Sequence, residues 1–146
     1  MSVDNAAPDD IVSWLEIVRE VEPLFGPMPD FGATLAQKIG EGDALCVRAS
    51  DGAVVGAMLL GGTAEHGWIR WLAVRRAARG QGIGRRLVEA ALARLATART
   101  ISLDTFRQDE PDGRPARRLY ERMGFMAGPL VEANGAPRQR YVLTRR

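Results

Sequence analysis

Arg79-Gly80-Gln81-Gly82-Ile83-Gly84, with Arg85 and Arg86 directly behind, places three glycines within five positions. Glycine brings no side chain to pack and loses the most backbone entropy on folding, so a backbone or ligand requirement must favour it here. Phosphate loops are the first candidates, and spacing separates them. A Walker loop needs Gly-Lys-Ser/Thr after four intervening residues, and no lysine follows. A dinucleotide fingerprint needs glycine or alanine at its sixth position, which is Arg85 counted from Gly80 and Leu87 counted from Gly82. Both are excluded. The stretch still follows a strand-like run and opens an amphipathic helix, where unpaired N–H groups and the positive end of the helix dipole converge. Gly80, Gly82 and Gly84 let an anion approach that backbone, and Arg79, Arg85 and Arg86 surround it with positive charge. A polyphosphate or pyrophosphate site is the functional expectation, and a plain strand-to-helix turn is the alternative.

The strand in front is Trp68–Val74. Behind the loop, Ile83, Leu87, Ala91 and Leu95 share one face of a helix, with Arg85, Arg86, Glu89 and Arg94 outside. Upstream, Ile11, Trp14, Leu15, Val18, Val21 and Leu24 recur at helical spacing, and a shorter helix runs from Asp30 to about Ile39, closed by Gly40 and Gly42. Ala44–Ala49 and Ala53–Leu60 are strand candidates around Asp51-Gly52, a hairpin signal. Ile101–Phe106 alternates as a strand, and Ala116, Leu119, Tyr120 and Met123 mark a helix stopped by Gly124. Two late strands, near Phe125–Val131 and Arg138–Leu143, connect through Asn134-Gly135. The expectation is an α/β (α+β) fold: a mixed, mostly antiparallel sheet of about six to seven strands flanked by about four helices.

At 146 residues the chain has the length of one domain, with residues 1–8 expected as a flexible tail. Twenty basic and eighteen acidic residues nearly cancel, so nucleic acid is not an expected partner. Cys46 is the only cysteine and lies in an apolar run, which leaves no intramolecular disulfide or cysteine-rich metal site; no metal is expected. The acidic N-terminus lacks a signal-peptide pattern, and the longest apolar run, Ala53 to Gly62, is about half the length needed to cross a bilayer. A soluble cytoplasmic protein is the default.

Two motifs together carry a family resemblance. Arg79-x-x-Gly82-x-Gly84 resembles the Arg/Gln-x-x-Gly-x-Gly/Ala signature of the GNAT superfamily of N-acetyltransferases, preceded by Leu72-Ala73-Val74 as in the family's pre-loop strand. Ala116-x-x-Leu119-Tyr120-x-x-x-Gly124-Phe125 is similar to the family's second motif. The element order fits from about Ile11 to Val142. This resemblance implies acetyl-coenzyme A as donor, its pyrophosphate on the amides of Arg79, Gly80, Gln81, Gly82, Ile83, Gly84 and Arg85. The pantetheine arm would run beside the main chain of Leu72 and Val74, and an amide late in the Trp68–Val74 strand would stabilise the oxyanion. An amine would attack the thioester directly, and Tyr120 matches the tyrosine that protonates the departing thiolate.

The chain departs from the pattern in two places. Relatives carry asparagine where Gly113 stands, and several carry a glutamate base where Trp68 stands. Base candidates are therefore Glu65, Asp104 and His66, with a water relay as the alternative. For the acceptor pocket the expected residues are Phe25, Met28 and Phe31 of the apolar interhelical segment, with Trp68 and Arg70. Arg70 suits an acceptor carboxylate or a surface salt bridge. The apolar segment also suits a lid or a contact between two copies. The implied function is acetyl transfer from acetyl-coenzyme A to a primary amine, of a small molecule in the favoured case. The alternatives are a peptide or protein amine (an N-terminus or a lysine) and a non-catalytic acetyl-coenzyme A-binding module.

Overall fold

Apolar residues spaced three and four apart fold as the helices Ile11–Phe25 (α1), Phe31–Glu41 (α2), Ile83–Arg94 (α3) and Arg114–Arg122 (α4). The alternating and continuously apolar runs fold as strands Val3–Asn5 (β1), Ala44–Arg48 (β2), Val54–Gly62 (β3), His66–Val74 (β4), Thr100–Thr105 (β5), Met126–Ala133 (β6) and Ala136–Thr144 (β7). This computed structural model describes residues 1–133 and 135–145, so Asn134 of the expected Asn134-Gly135 turn lies outside the described residues. The seven strands form one sheet in the order β1-β2-β3-β4-β5-β7-β6. Among the described pairings only β4 with β5 is parallel. The expected mixed, mostly antiparallel sheet with four helices is therefore the fold.

Contacts group the chain into two units, Met1–Leu60 with Trp71–Leu92 and Gly61–Arg70 with Ala93–Arg146. In the first, Trp14, Ile17 and Leu35 of α1 and α2 are fully buried against Ala44, Cys46, Ala57, Leu59 and Ala73. Removing such side chains from water is worth roughly 1.5–3 kcal/mol each. The Cys46 thiol, walled in by this core, is pushed up to about 11 by burial and stays protonated. A Cβ at Gly56 would collide with Ile83, so this glycine of β3 lets α3 lie close on the sheet.

Residues 1–8, expected as a tail, instead hold β1, paired antiparallel with β2 at Val3↔Val47, Asp4↔Cys46 and Asn5↔Leu45. Arg48 fixes this segment. Its Nε and Nη2 donate to Asp10 at 2.9 and 2.7 Å, and its Nη1 donates to Asp4 at 3.2 Å. A three-residue polar strand has too little alternation to be read in a sequence; it exists because β2 offers an edge and Arg48 offers charge. The Arg48 hydrogen bonds hold the buried Asp10 carboxyl below its ordinary range, against desolvation. A depressed carboxylate gives stability that is present above the unfolded value near 3.9 and lost as pH falls through the lower folded value. Asp10→Asn should therefore lower unfolding free energy at pH 7 by about 2 kcal/mol in denaturant titration. The wild-type advantage should fade below about pH 4.

In the second unit β5 alternates cleanly, with Ile101, Leu103 and Thr105 buried. Its register against β7 is Leu103↔Tyr141 and Asp104↔Arg140, and against β4 it runs His66↔Thr100 to Trp68↔Ser102. Gly67 faces Leu95, whose Cδ1 would be 2.9 Å from a Cβ there. The β6–β7 register shifts between Ala127 and Leu130, where Pro129 has no N–H to donate.

Candidate active site

The glycine loop belongs to the first unit. Gly80 and Gly82 have φ of +79° and +77°, the left-handed region where a Cβ is strained, and apart from the chain neighbours no heavy atom of a described residue lies within 4 Å of the Cβ position of either. The requirement is conformational, not steric. The first helical hydrogen bond runs from Arg86 N–H to Gly82 C=O at 3.1 Å. Among the described residues, none of the six amide N–H groups from Gly80 to Arg85 has a protein acceptor. Six unspent donors at the positive end of α3 suit a diphosphate, whose oxygens need many short contacts.

The arginines around the loop divide. Arg85 is exposed, while Arg86 Nη1 donates to Met1 C=O at 2.6 Å and Arg79 Nε donates to Val74 C=O at 3.2 Å. Ile83 is buried, so it offers the loop its amide while its side chain anchors α3. Gln81 is exposed, and Leu72 and Val74 are half-buried on β4.

The apolar interhelical segment is folded onto the first unit's core. Phe31 is buried, with its ring 4.8 Å from that of Trp71; Phe25 meets the same ring edge-on at 6.0 Å, and Trp14 stacks on it at 6.1 Å. Met28 packs beside them. These residues thus cover Trp71 within one aromatic cluster.

In the second unit Tyr120 is buried, 6.0 Å from the Phe125 ring and 6.3 Å from the Tyr141 ring. Burial drives its phenol well above the ordinary range, so the proton stays on oxygen. Its hydroxyl has no hydrogen-bond partner among the described residues, in contrast to Tyr141, whose hydroxyl donates to Glu121 at 2.9 Å.

Asp104 accepts two hydrogen bonds from one fork, Arg140 Nε at 2.8 Å and Nη2 at 3.1 Å. The Arg140 guanidinium also lies 4.8 Å from the Trp68 ring centroid, and that of Arg70 lies 4.4 Å from it. Because Leu103 and Tyr141 are paired, strand alternation puts Tyr120 and Tyr141 on one face of this unit's sheet and Trp68, Asp104 and Arg140 on the other. Glu65 is exposed ahead of β4, its carbonyl accepting Arg99 N–H at 2.7 Å, and His66 Nδ1 meets Thr100 Oγ1 at 2.8 Å. Both sit at the start of β4, while the glycine loop follows its end.

Gly113 answers a packing demand. A Cβ there would strike Phe106 and stand 2.7 Å from Arg117 Nη1. The buried Arg117 donates to Arg107 C=O at 2.7 Å and Gln108 C=O at 3.1 Å, tying down the β5–α4 connection. An asparagine at 113 has no room beside this arginine.

Two functional candidates escaped the sequence, Arg140 and Arg117. Arg117 carries a faint signal, three residues before Tyr120 on the apolar helix face. Arg140 carries none, since its pairing with Asp104 depends on register. No group of three or more His, Cys, Asp or Glu able to hold a metal occurs among the described residues, and no described helix is long and apolar enough to cross a membrane.

A family profile described as an acetyltransferase (GNAT) domain matches residues 41–127. No curated protein matches the sequence. The chain is similar in fold to Ard1 from Thermoplasma volcanium (18% identity, 98% of this chain and 96% of that one, TM-score 0.81). A NatC complex bound to Gag peptide and CoA gives 18% identity, full coverage of both chains and a TM-score of 0.80. A ribosomal-protein-alanine N-acetyltransferase from Brucella melitensis gives 15% identity, 99% and 100% coverage and a TM-score of 0.79.

Proposed function

Because the chain belongs to the GNAT family and is an acetyl-coenzyme A-dependent N-acetyltransferase, we propose that its acceptor is the primary amine of a small molecule, with Tyr120 serving the departing sulfur. Tyr120 carries the mechanistic part: a buried phenol that keeps its proton and has no hydrogen-bond partner among the described residues. In the donor complex the loop from Gly80 to Arg85 holds the pyrophosphate through its free amides, and Leu72 and Val74 flank the pantetheine arm. The amine nitrogen then forms a bond to the thioester carbonyl carbon, the C–S bond breaks, and the amine releases a proton. Tyr120 donates a hydrogen bond to the thiolate. Its acidity is weaker than that of a thiol near 8.5, so full transfer from the phenol is uphill, and the proton that ends on sulfur comes from solvent.

No side chain is assigned as the base. Both Asp104 oxygens are engaged by Arg140, which makes Asp104 a positioning group for that arginine, and Glu65 is exposed ahead of β4. Water takes the amine proton. A peptide N-terminus is the second acceptor to consider, supported by the likeness over full length to the NatC complex bound to Gag peptide and CoA.

The test is thiol release from acetyl-coenzyme A over a panel of small amines, tetrapeptides with free N-termini, and lysine peptides. Small amines should give the highest kcat/KM. Turnover confined to peptides would transfer the assignment to the second acceptor. Donor binding with no turnover on any amine would defeat the acetyl-transfer assignment.

A further inference from the structure

One strand face of the second unit carries a positive charge that no described side chain balances, that of Arg70. Arg70 and Arg140 bring their guanidinium carbons to 4.4 and 4.8 Å from the centroid of one indole, Trp68. Asp104 neutralises Arg140 through two hydrogen bonds. Arg70 is exposed, and among the described residues it has neither a carboxylate nor a carbonyl partner; its one contact is the Trp68 ring.

An arginine with a free planar fork, held at a fixed place by an aromatic face, is preorganised for a carboxylate. Cation–π contact orients the guanidinium without consuming its in-plane N–H donors. Arg140, neutralised by Asp104, is held against the Trp68 ring, so the uncompensated charge that an entering anion meets is that of Arg70. The cluster lies on the sheet face opposite Tyr120, so it does not compete with the phenol for the departing sulfur.

Resting on the transferase assignment above, we propose that Arg70, with Trp68 and Arg140 behind it, binds a carboxylate on the acceptor, and that the acceptor is a small amino acid-like amine. One guanidinium fork and one unbalanced positive charge fit a single carboxylate.

The experiment compares kcat/KM for amines in matched pairs, an amino acid against its amide, and a tetrapeptide with an acidic second residue against its neutral isostere. Wild type should prefer the amino acid over its amide by at least tenfold, mostly in KM. Arg70→Gln should bring that ratio to about one, and Arg70→Lys should leave an intermediate ratio, because charge without the fork restores only part of the recognition. Equal kcat/KM for acid and amide in wild type, or an unchanged ratio in Arg70→Gln, would overturn the proposal. A preference seen only in the peptide pair would overturn the small-molecule occupant. Calorimetric titration of each amine into protein saturated with coenzyme A reads binding independently of turnover. If no amine reacts, the transferase assignment fails, yet titration still decides whether a carboxylate is held at Arg70.

Discussion

Tyr120→Phe lowers kcat by about 30–100-fold while the KM for acetyl-coenzyme A changes by no more than about twofold. The size follows from a hydrogen bond to a charged partner, worth roughly 2–2.7 kcal/mol when it forms only as the thiolate develops. The split follows from position. Among the described residues the phenol has no hydrogen-bond partner, so its removal costs the ground state no hydrogen bond that these residues had built. The ring contacts with Phe125 and Tyr141 survive in phenylalanine, so thermal unfolding should occur within about two degrees of wild type. A parallel loss of donor affinity and thermal stability would show instead that Tyr120 is a packing residue. Because burial raises the phenol's pKa, the rate should show no fall that tracks phenol ionisation up to pH 10.

Gly82→Val raises the KM for acetyl-coenzyme A by about 100-fold and leaves kcat at saturation within about threefold. A β-branched residue at φ of +77° is strained by roughly 1–3 kcal/mol, so the loop relaxes to negative φ and turns the following amide away. Several of the free donors between Gly80 and Arg85 then miss the anion, each worth about 1.5–3 kcal/mol to a charged oxygen. Space is not the issue, since nothing stands within 4 Å of the Cβ position. Gly82→Asn, which tolerates the left-handed region, should therefore lose only a few-fold. Steady-state kinetics with varied donor measures both variants, and equal damage from Asn and Val would show that any side chain, not the backbone angle, is what the site rejects.

The glycine loop was legible as a turn because its information is local. A turn into a helix with left-handed glycines is written in consecutive residues, and two spacings, Arg79-x-x-Gly82-x-Gly84 and Ala116-x-x-Leu119-Tyr120-x-x-x-Gly124-Phe125, carry the family. Helix and strand positions followed from periodicities of 3.6 and 2 for the same reason. Element ends shifted by one or two residues where caps and pairing partners, not propensity, set them; β4 begins at His66, which pairs with Thr100.

What stayed hidden depends on chain segments far apart in sequence. Gly113 looks like a missing asparagine until Arg117 and Phe106 are seen filling its space. Phe25 and Phe31 look like an exposed apolar pair until Trp71 is seen beneath them. Asp104 looks like a base until register places Arg140 opposite, and the first eight residues look like a tail until β2 offers its edge. The sequence by itself determined the fold class, the donor and the glycine turn that opens α3, since these rest on short-range spacing and backbone conformation. Tertiary structure alone decided which arginine keeps its fork free, because pairing across strands spends one guanidinium on Asp104 and leaves the other, at Arg70, with only an indole among the described residues.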